Sequence, residues 1–248
     1  YRACDELGLL VWDELHFWGR GGFKGGEEGS YMAEAYPAIP EPRPEFDETL
    51  RSNFRDMIKE HRNHPSIIVW SLGNETTMQM EEPLLSEARR LFMELNALAH
   101  TLDPTRPTGM GQGIEGLADI DGFNGSGPKE KVGDRPIVTT EFHFTAEPDR
   151  EPWRAGAICW SGIDYGTHCG HPPDAPIEEQ TSFGFFGVLD YHRLPREKYY
   201  LMRQQATGIP VPEPPAEGTA ARLTLSADKL VVKNDGTDDA QLIAALLD

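Results

Sequence analysis

The chain is poor in cysteine and has no long apolar run, and each shortage excludes a class of protein. Its three cysteines, Cys4, Cys159 and Cys169, are too few and too scattered for a disulfide framework, although one bridge stays open. No apolar run approaches the ~20 residues that a helix needs to cross a bilayer. We therefore expect a soluble protein that does not bind membranes, with its compartment, cytoplasmic or periplasmic/secreted, left open.

Positive charge is also scarce. Lysine and arginine number 23 against 41 aspartates and glutamates, which gives a net charge of −18 at pH 7. Such a surface repels phosphate backbones and anionic membranes over most of the molecule. Nucleic acid is therefore excluded as an expected partner.

The composition is that of a folded protein. With 38% hydrophobic and 26% charged residues, the chain has enough apolar surface for a core and no low-complexity bias. A (β/α)₈ barrel typically has about 250 residues, and the chain has 248. The length therefore fits one barrel or two smaller domains.

Apolar patterning predicts strands and helices in alternation. A helix end at Gly8 precedes a buried strand that includes the apolar run 9–12 and ends at Asp13 and Glu14. Helical spacing marks residues 46–61, 84–102 and 199–205. Short strands are predicted at 66–70, 107–110, 120–123, 137–140 and 157–160. This order favours a parallel α/β architecture.

Two connections in this alternation stand out. Only thirteen residues separate Phe123 from Ile137, so we expect the helix there to be very short or absent. Residues 19–44 form a long loop rich in glycine and proline, and loops of this length usually serve a site.

The composition changes near the end of the chain. Residues 210–215 (PVPEPP) predict a stiff linker. Strands are predicted after it at 223–226, 230–232 and 240–247, with a hairpin signal at 234–236. A β-sandwich needs about seven strands, so we expect this second domain to be cut off at residue 248.

Two glutamates follow apolar strands directly. Glu75 comes after the strand at 66–70 and its extension, and Glu141 comes after the strand at 137–140. Barrel enzymes place their reacting groups at the carboxyl ends of parallel strands. A carboxylate there is partly desolvated, which shifts its pKa.

These residues lie in segments that resemble glycoside hydrolase family 2, the family of β-galactosidases, β-glucuronidases and β-mannosidases. Residues 61–75 (HRNHPSIIVWSLGNE) resemble its acid/base signature, and residues 135–142 (RPIVTTEF) its nucleophile strand. Residues 4–14 are similar to its third barrel strand, residues 156–165 to its eighth, and residues 186–190 and 195–200 to the segment after the eighth strand. The likeness covers residues 1 to about 206.

The resemblance implies a fold and its limits. We expect the last three quarters of a (β/α)₈ TIM barrel over residues 1–208, without strands one and two, then a linker over 209–219. Residues 220–248 resemble the first strands of the immunoglobulin-like β-sandwich that follows the barrel in many members. Such a fragment has open sheet edges and is expected to be inactive or poorly folded alone.

The resemblance also implies residue roles. Glu141 would be the nucleophile, and Glu75 would be the acid and then the base of a retaining mechanism. Asn74 would contact the sugar 2-hydroxyl. Asn124 resembles the asparagine of the sixth strand, but the tyrosine that usually follows it is replaced by Gly125, Ser126 and Gly127.

Four further residues are candidates for substrate contacts. Trp160 resembles the aromatic platform under the sugar, with a core tryptophan as an equal alternative. His143 lies two residues after Glu141 and, by strand alternation, on the same face. His16 is a candidate pocket residue, and Glu14 is either that or the partner of a buried arginine.

Metal and cofactor sites are not expected. The cluster His168, Cys169, Gly170 and His171 fits no common zinc spacing and favours a plain loop. The glycines at 19–26 lack the ending of a phosphate-binding loop and favour a mobile active-site loop.

The expected activity is that of a retaining exo-β-glycosidase acting on terminal β-linked sugars, with β-galactosides favoured. No Asn-X-Lys element, which grips the sugar carboxylate in the family's glucuronidases, occurs in the chain. The alternatives are a β-glucuronidase, a β-mannosidase and a barrel that binds carbohydrate without turnover. The partner is thus a glycoside, and a homo-oligomer of the full-length protein stays open.

Overall fold

The computed structural model describes residues 1–17, 44–77, 81–125, 127–142, 151–168, 181–184, 186–213, 222–233, 240 and 242–247. The chain divides into two compact units, Tyr1–Tyr199 and Tyr200–Asp248. The predictions for the loop at 19–44, apart from its last residue, and for His143 lie outside the described residues. No helix in the described ranges is long and apolar enough to cross a membrane.

Six parallel strands form the sheet of the first unit. They are β1 (Val11–Glu14), β2 (Ile67–Asn74), β3 (Thr108–Gly111), β4 (Ile120–Asn124), β5 (Ile137–Phe142) and β6 (Arg154–Cys159). Each pairs with the next in chain order, from β1 at one edge to β6 at the other. A doubly wound sheet reverses its strand order, whereas a TIM barrel keeps it. The predicted parallel α/β architecture is confirmed as a partial barrel.

Three helices belong to the part of this unit before β3: α1 (Arg2–Leu7), α2 (Pro44–His61) and α3 (Leu84–Leu102). Gly8 ends α1 in the left-handed conformation, with φ of 71°, as predicted. The apolar faces of α2 and α3 meet the sheet in one core that includes Phe54, Trp70 and Phe92. Helix α3 packs against β2 and β3, and α2 packs against α3.

Several strand bounds differ from the predicted ones, among them those of β1, β2 and β6. Strand β1 begins at Val11, because Leu9 and Leu10 are 53% and 74% exposed and precede the pairing with β2. Strand β2 continues to Asn74, four residues beyond the apolar run, because the polar residues Ser71 and Asn74 are buried as well. Strand β6 begins at Arg154, where it pairs with Ile137.

Short connections link the later strands. Residues 125 and 127–136, between β4 and β5, contain no helix, which agrees with the prediction. Turns also replace a helix between β3 and β4, over residues 112–119. The site at this end of the sheet is therefore built close to the strands themselves.

An antiparallel pair that the sequence did not predict follows β6. It consists of β7 (Tyr165–His168) and β8 (Thr181–Gly184). The prediction of a plain loop at 168–171 was wrong for His168, whose main chain pairs with Thr181. Cys169, Gly170 and His171 lie outside the described residues.

In the described residues of the second unit, β9 (Arg222–Ala227) pairs antiparallel with β10 (Leu242–Leu247). Helix α4 (Glu197–Thr207) contains the boundary between the units. The strand predicted at 230–232 was wrong, since these residues pair with no strand in the part of the chain that the structure describes and Leu230 is 96% exposed. The domain limits and the β-sandwich stay predictions.

Candidate active site

Four of the predicted site residues meet at the carboxyl ends of three strands. Asn74 ends β2 and Glu75 follows it, Asn124 ends β4, and Glu141 lies near the end of β5. Parallel pairing sets Asn124 opposite Glu141. The structure thus brings together residues that are up to 67 positions apart in the chain.

Two asparagine side chains link the two glutamates. Asn74 Nδ2 donates to Glu141 Oε1 at 2.6 Å. Asn124 Nδ2 donates to Glu75 Oε1 at 3.0 Å and to Asn74 Oδ1 at 3.1 Å. We call Asn74 and Asn124 the amide bridge. Because amide N–H groups donate to both carboxyl groups, the bridge fixes the positions of the two side chains.

Two residues that the sequence did not single out hold Asn124. Thr140 Oγ1 donates to Asn124 Oδ1 at 2.7 Å, and the main-chain N–H of Asn124 donates to Gln112 Oε1 at 2.9 Å. Thr140 reaches the site because strand pairing skips it: Phe123 is opposite Thr139 and Asn124 is opposite Glu141. An irregularity of this kind lets neighbouring side chains face one side.

Left-handed backbone occurs at two of these positions. Glu75 has φ of 56° and Gln112 has φ of 47°. Residues other than glycine adopt such values rarely and at a cost, commonly at functional sites. Each is fixed by its neighbour strand, since Glu75 N–H donates to Gly111 O at 2.9 Å and Gln112 N–H donates to Gly122 O at 3.0 Å.

Gly111 makes room for the amide bridge. A methyl group on its Cα would lie 2.5 Å from Asn74 Oδ1. Nothing larger than hydrogen therefore fits at position 111 while Asn74 keeps its bonds.

Glu141 lies in a partly buried and acidic environment. Burial raises the pKa of Glu141, and the nearby carboxylates of Glu75 and Glu14 raise it further, while hydrogen bonds from Asn74 and Asn124 act in the opposite direction. Loss of hydration also raises the pKa of Glu14. The Ser71 hydroxyl donates to Glu14 at 2.9 Å, so its hydrogen-bond partner among the described residues is a serine and not an arginine.

The remaining candidates differ in position. Trp160 is 38% exposed, which excludes the core alternative, and its Nε1 donates to the Tyr165 hydroxyl at 3.0 Å. His16 is exposed between buried Leu15 and Phe17, and no described hydrogen bond involves its ring. No described hydrogen bond joins either residue to the amide bridge, and their roles stay predictions.

The arrangement suits acid, base and nucleophilic chemistry. One carboxyl group of raised pKa and a second beside it lie at a partly exposed strand end. Paired carboxyl groups of this kind can divide a reaction between an attacking group and a proton carrier. Within the described residues, no three His, Cys, Asp or Glu side chains are grouped to hold a metal ion.

Residues 1–120 match the sequence model of the family described as glycosyl hydrolases family 2, TIM barrel domain. A β-glucuronidase of Bacteroides fragilis is 31% identical over 139 residues, which are 52% of this chain and 18% of that protein. A β-galactosidase of Thermoanaerobacterium thermosulfurigenes is 27% identical over 247 aligned residues, covering 82% of this chain and 29% of that protein.

Solved structures share the fold. The crystal structure of Parabacteroides merdae β-glucuronidase superposes with a TM-score of 0.58 at 18% identity, over 92% of this chain and 33% of that one. Identity at this level shows the fold alone. The chain spans less than a third of the length of these two curated relatives, the β-glucuronidase of Bacteroides fragilis and the β-galactosidase.

Proposed function

We propose that the chain, whose residues 1–120 match the sequence model of the TIM barrel domain of glycosyl hydrolases family 2, belongs to that family and supplies both catalytic carboxyl groups of a retaining β-glycosidase. The observation that carries this proposal is the amide bridge between Glu75 and Glu141. Retaining glycosidases need two carboxyl groups about 5–5.5 Å apart. Two side-chain amides in series connect the two carboxyl groups.

The two glutamates have different roles in forming and in hydrolysing the glycosyl-enzyme. Glu141 attacks the anomeric carbon, the glycosidic bond breaks, and Glu75 donates its proton to the leaving oxygen. Glu75 then removes a proton from water, the water attacks the same carbon, and the bond to Glu141 breaks. Asn74 is placed beside both groups and, as an amide, can also meet the sugar 2-hydroxyl.

We propose β-galactosides as the substrates. The charges of Glu14 and Glu75 raise the pKa of Glu141, so this end of the sheet is acidic and an anionic sugar would meet repulsion there. The missing Asn-X-Lys element argues in the same direction. β-Glucuronides are the alternative, supported by the name of the Bacteroides fragilis relative.

The other candidate residues enter the proposal as substrate contacts. Exposed Trp160 offers an apolar face to the sugar ring, and His16, His143 and Glu14 would line the pocket. Residues 1–208, 209–219 and 220–248 would be the barrel, the linker and the start of the sandwich.

The test offers nitrophenyl β-galactoside, β-glucuronide and β-mannoside to the full-length protein. Turnover of the galactoside is expected, and turnover of the glucuronide alone would contradict the substrate assignment. A fluorinated galactoside should label Glu141 in the wild type and fail to label E141Q. A protein that binds the sugar but is never labelled would be a carbohydrate-binding barrel without turnover.

A further inference from the structure

We infer that Thr140 and Gln112 are positioning residues that act through Asn124 on the acid/base Glu75; the inference rests on the proposed function. Neither residue needs to touch substrate. Both contact Asn124, and Asn124 is the described side chain that donates to Glu75.

Thr140 fixes which end of the Asn124 amide faces Glu75. The amide has one accepting oxygen and one donating NH₂ group. Its NH₂ group meets two acceptors, Glu75 Oε1 and Asn74 Oδ1, while its oxygen accepts from Thr140 Oγ1 at 2.7 Å. Turning the amide over would set oxygen against two oxygens and leave the Thr140 hydroxyl without its acceptor.

Gln112 fixes the main chain of Asn124. Strand β4 pairs with β3 only through Ile120 and Asp121, so at Asn124 the neighbouring strand has already ended. The side-chain oxygen of Gln112 takes the place of a strand carbonyl and accepts from Asn124 N–H at 2.9 Å. The left-handed Gln112 is itself tied to Gly122. Gln112 therefore binds the end of β4 twice, through its side chain at Asn124 and through its main chain at Gly122.

The chemical consequence concerns the first step. Glu75 becomes a carboxylate as it gives its proton to the leaving oxygen, and a hydrogen bond from Asn124 strengthens as that charge forms. An interaction that is stronger in the transition state than in the ground state accelerates the step. A poor leaving group departs only with the proton from Glu75, whereas a good leaving group departs without it. The hydrolysis rate of substrates with poor leaving groups should therefore depend more strongly on Thr140 and Gln112.

The experiment compares phenyl and dinitrophenyl glycosides of the sugar that the wild type hydrolyses, using the full-length protein. T140V and Q112A are each expected to lower kcat/KM about 3- to 10-fold for the phenyl glycoside, as the loss of a neutral hydrogen bond allows. The dinitrophenyl glycoside should change less than about 2-fold by the same reasoning. T140S keeps the hydroxyl and should restore the wild-type ratio.

Thr139 supplies the matched control. It is the preceding residue of β5, it is buried, and its hydroxyl accepts from Arg154 at 3.0 Å, away from the amide bridge. T139V should lower the melting temperature as T140V does, without changing the ratio between the two glycosides.

Three results would overturn the inference while leaving the proposed function intact: equal losses on both glycosides, the same ratio change in T139V, or no recovery in T140S. A wild type that hydrolyses none of the nitrophenyl glycosides offered would overturn the proposed function as well.

Discussion

Asn74 Nδ2 lies 2.6 Å from Glu141 Oε1, although their strands, β2 and β5, are separated in the sheet by β3 and β4. In a flat sheet, strands three positions apart lie about 14 Å from each other. The bond therefore requires a strongly curved sheet with both side chains on the inside of the curve. This curvature explains how distant strand ends form one site.

Azide rescue should separate the roles of the two glutamates. E141G removes the attacking group, so azide enters from that side and should give the α-glycosyl azide. E75G leaves the glycosyl-enzyme intact, so azide replaces water and should give the β-glycosyl azide. Product stereochemistry by nuclear magnetic resonance reads the outcome, and the opposite pattern would mean that the roles are exchanged.

Replacing Asn74 should slow the reaction and move its pH dependence. N74A removes a hydrogen bond to a charged group, so we expect a loss of about 10- to 100-fold in kcat. The bond lowers the pKa of Glu141, so its removal raises that pKa and shifts the acidic limb of kcat/KM to higher pH. N53A, at an exposed position on α2, should change neither quantity. A limb that moves to lower pH would contradict the assignment.

The carboxylate of Glu141 should lower the free energy of unfolding at neutral pH. A carboxyl group whose pKa is higher in the folded than in the unfolded protein binds its proton more tightly when folded, so stability falls as pH rises through that range. E141Q should therefore melt at a higher temperature than the wild type at pH 7, and the gain should vanish in acid, below the ordinary pKa of glutamate. E115Q, at an exposed position, should show no such pH-dependent gain.

Three glycine-to-alanine substitutions should separate packing from function. At Gly109 the new methyl group would lie 2.2 Å from the Trp12 ring, and G109A should lower stability by about 1–3 kcal/mol. G111A would press on Asn74 Oδ1, and should lower kcat as N74A does. At Gly156 the methyl group would meet nothing within 4 Å, so G156A is the control. Equal activity in G111A and G109A, measured per folded molecule, would contradict this account.

The sequence predicted the strand-end carboxylates because each follows a run of buried apolar residues, and because residues 61–75 carry a specific motif. Asn74 and Asn124 were predicted from the family resemblance alone, and they end β2 and β4. Their mutual contacts could not be predicted, since they depend on the curvature of the sheet.

Thr140 and Gln112 were missed for physical reasons. Regular alternation places Thr140 on the face opposite Glu141, and only the skipped pairing at β5 reverses this. Gln112 depends on a left-handed main chain that no pattern in its neighbours indicates. The strand expected at 230–232 shows the opposite error, because an apolar run alone cannot supply a partner strand.

At Glu75 the left-handed main chain lowers stability, while the carboxyl group at the same position is needed for the proposed catalysis. Glycine relieves a conformation that costs other residues about 1–2 kcal/mol, so E75G should be more stable than E75A by this amount, although both lack the carboxylate. Urea unfolding of the pair isolates the backbone contribution. Selection for stability alone would favour glycine at position 75. A glycine there would remove the carboxyl group that donates the proton.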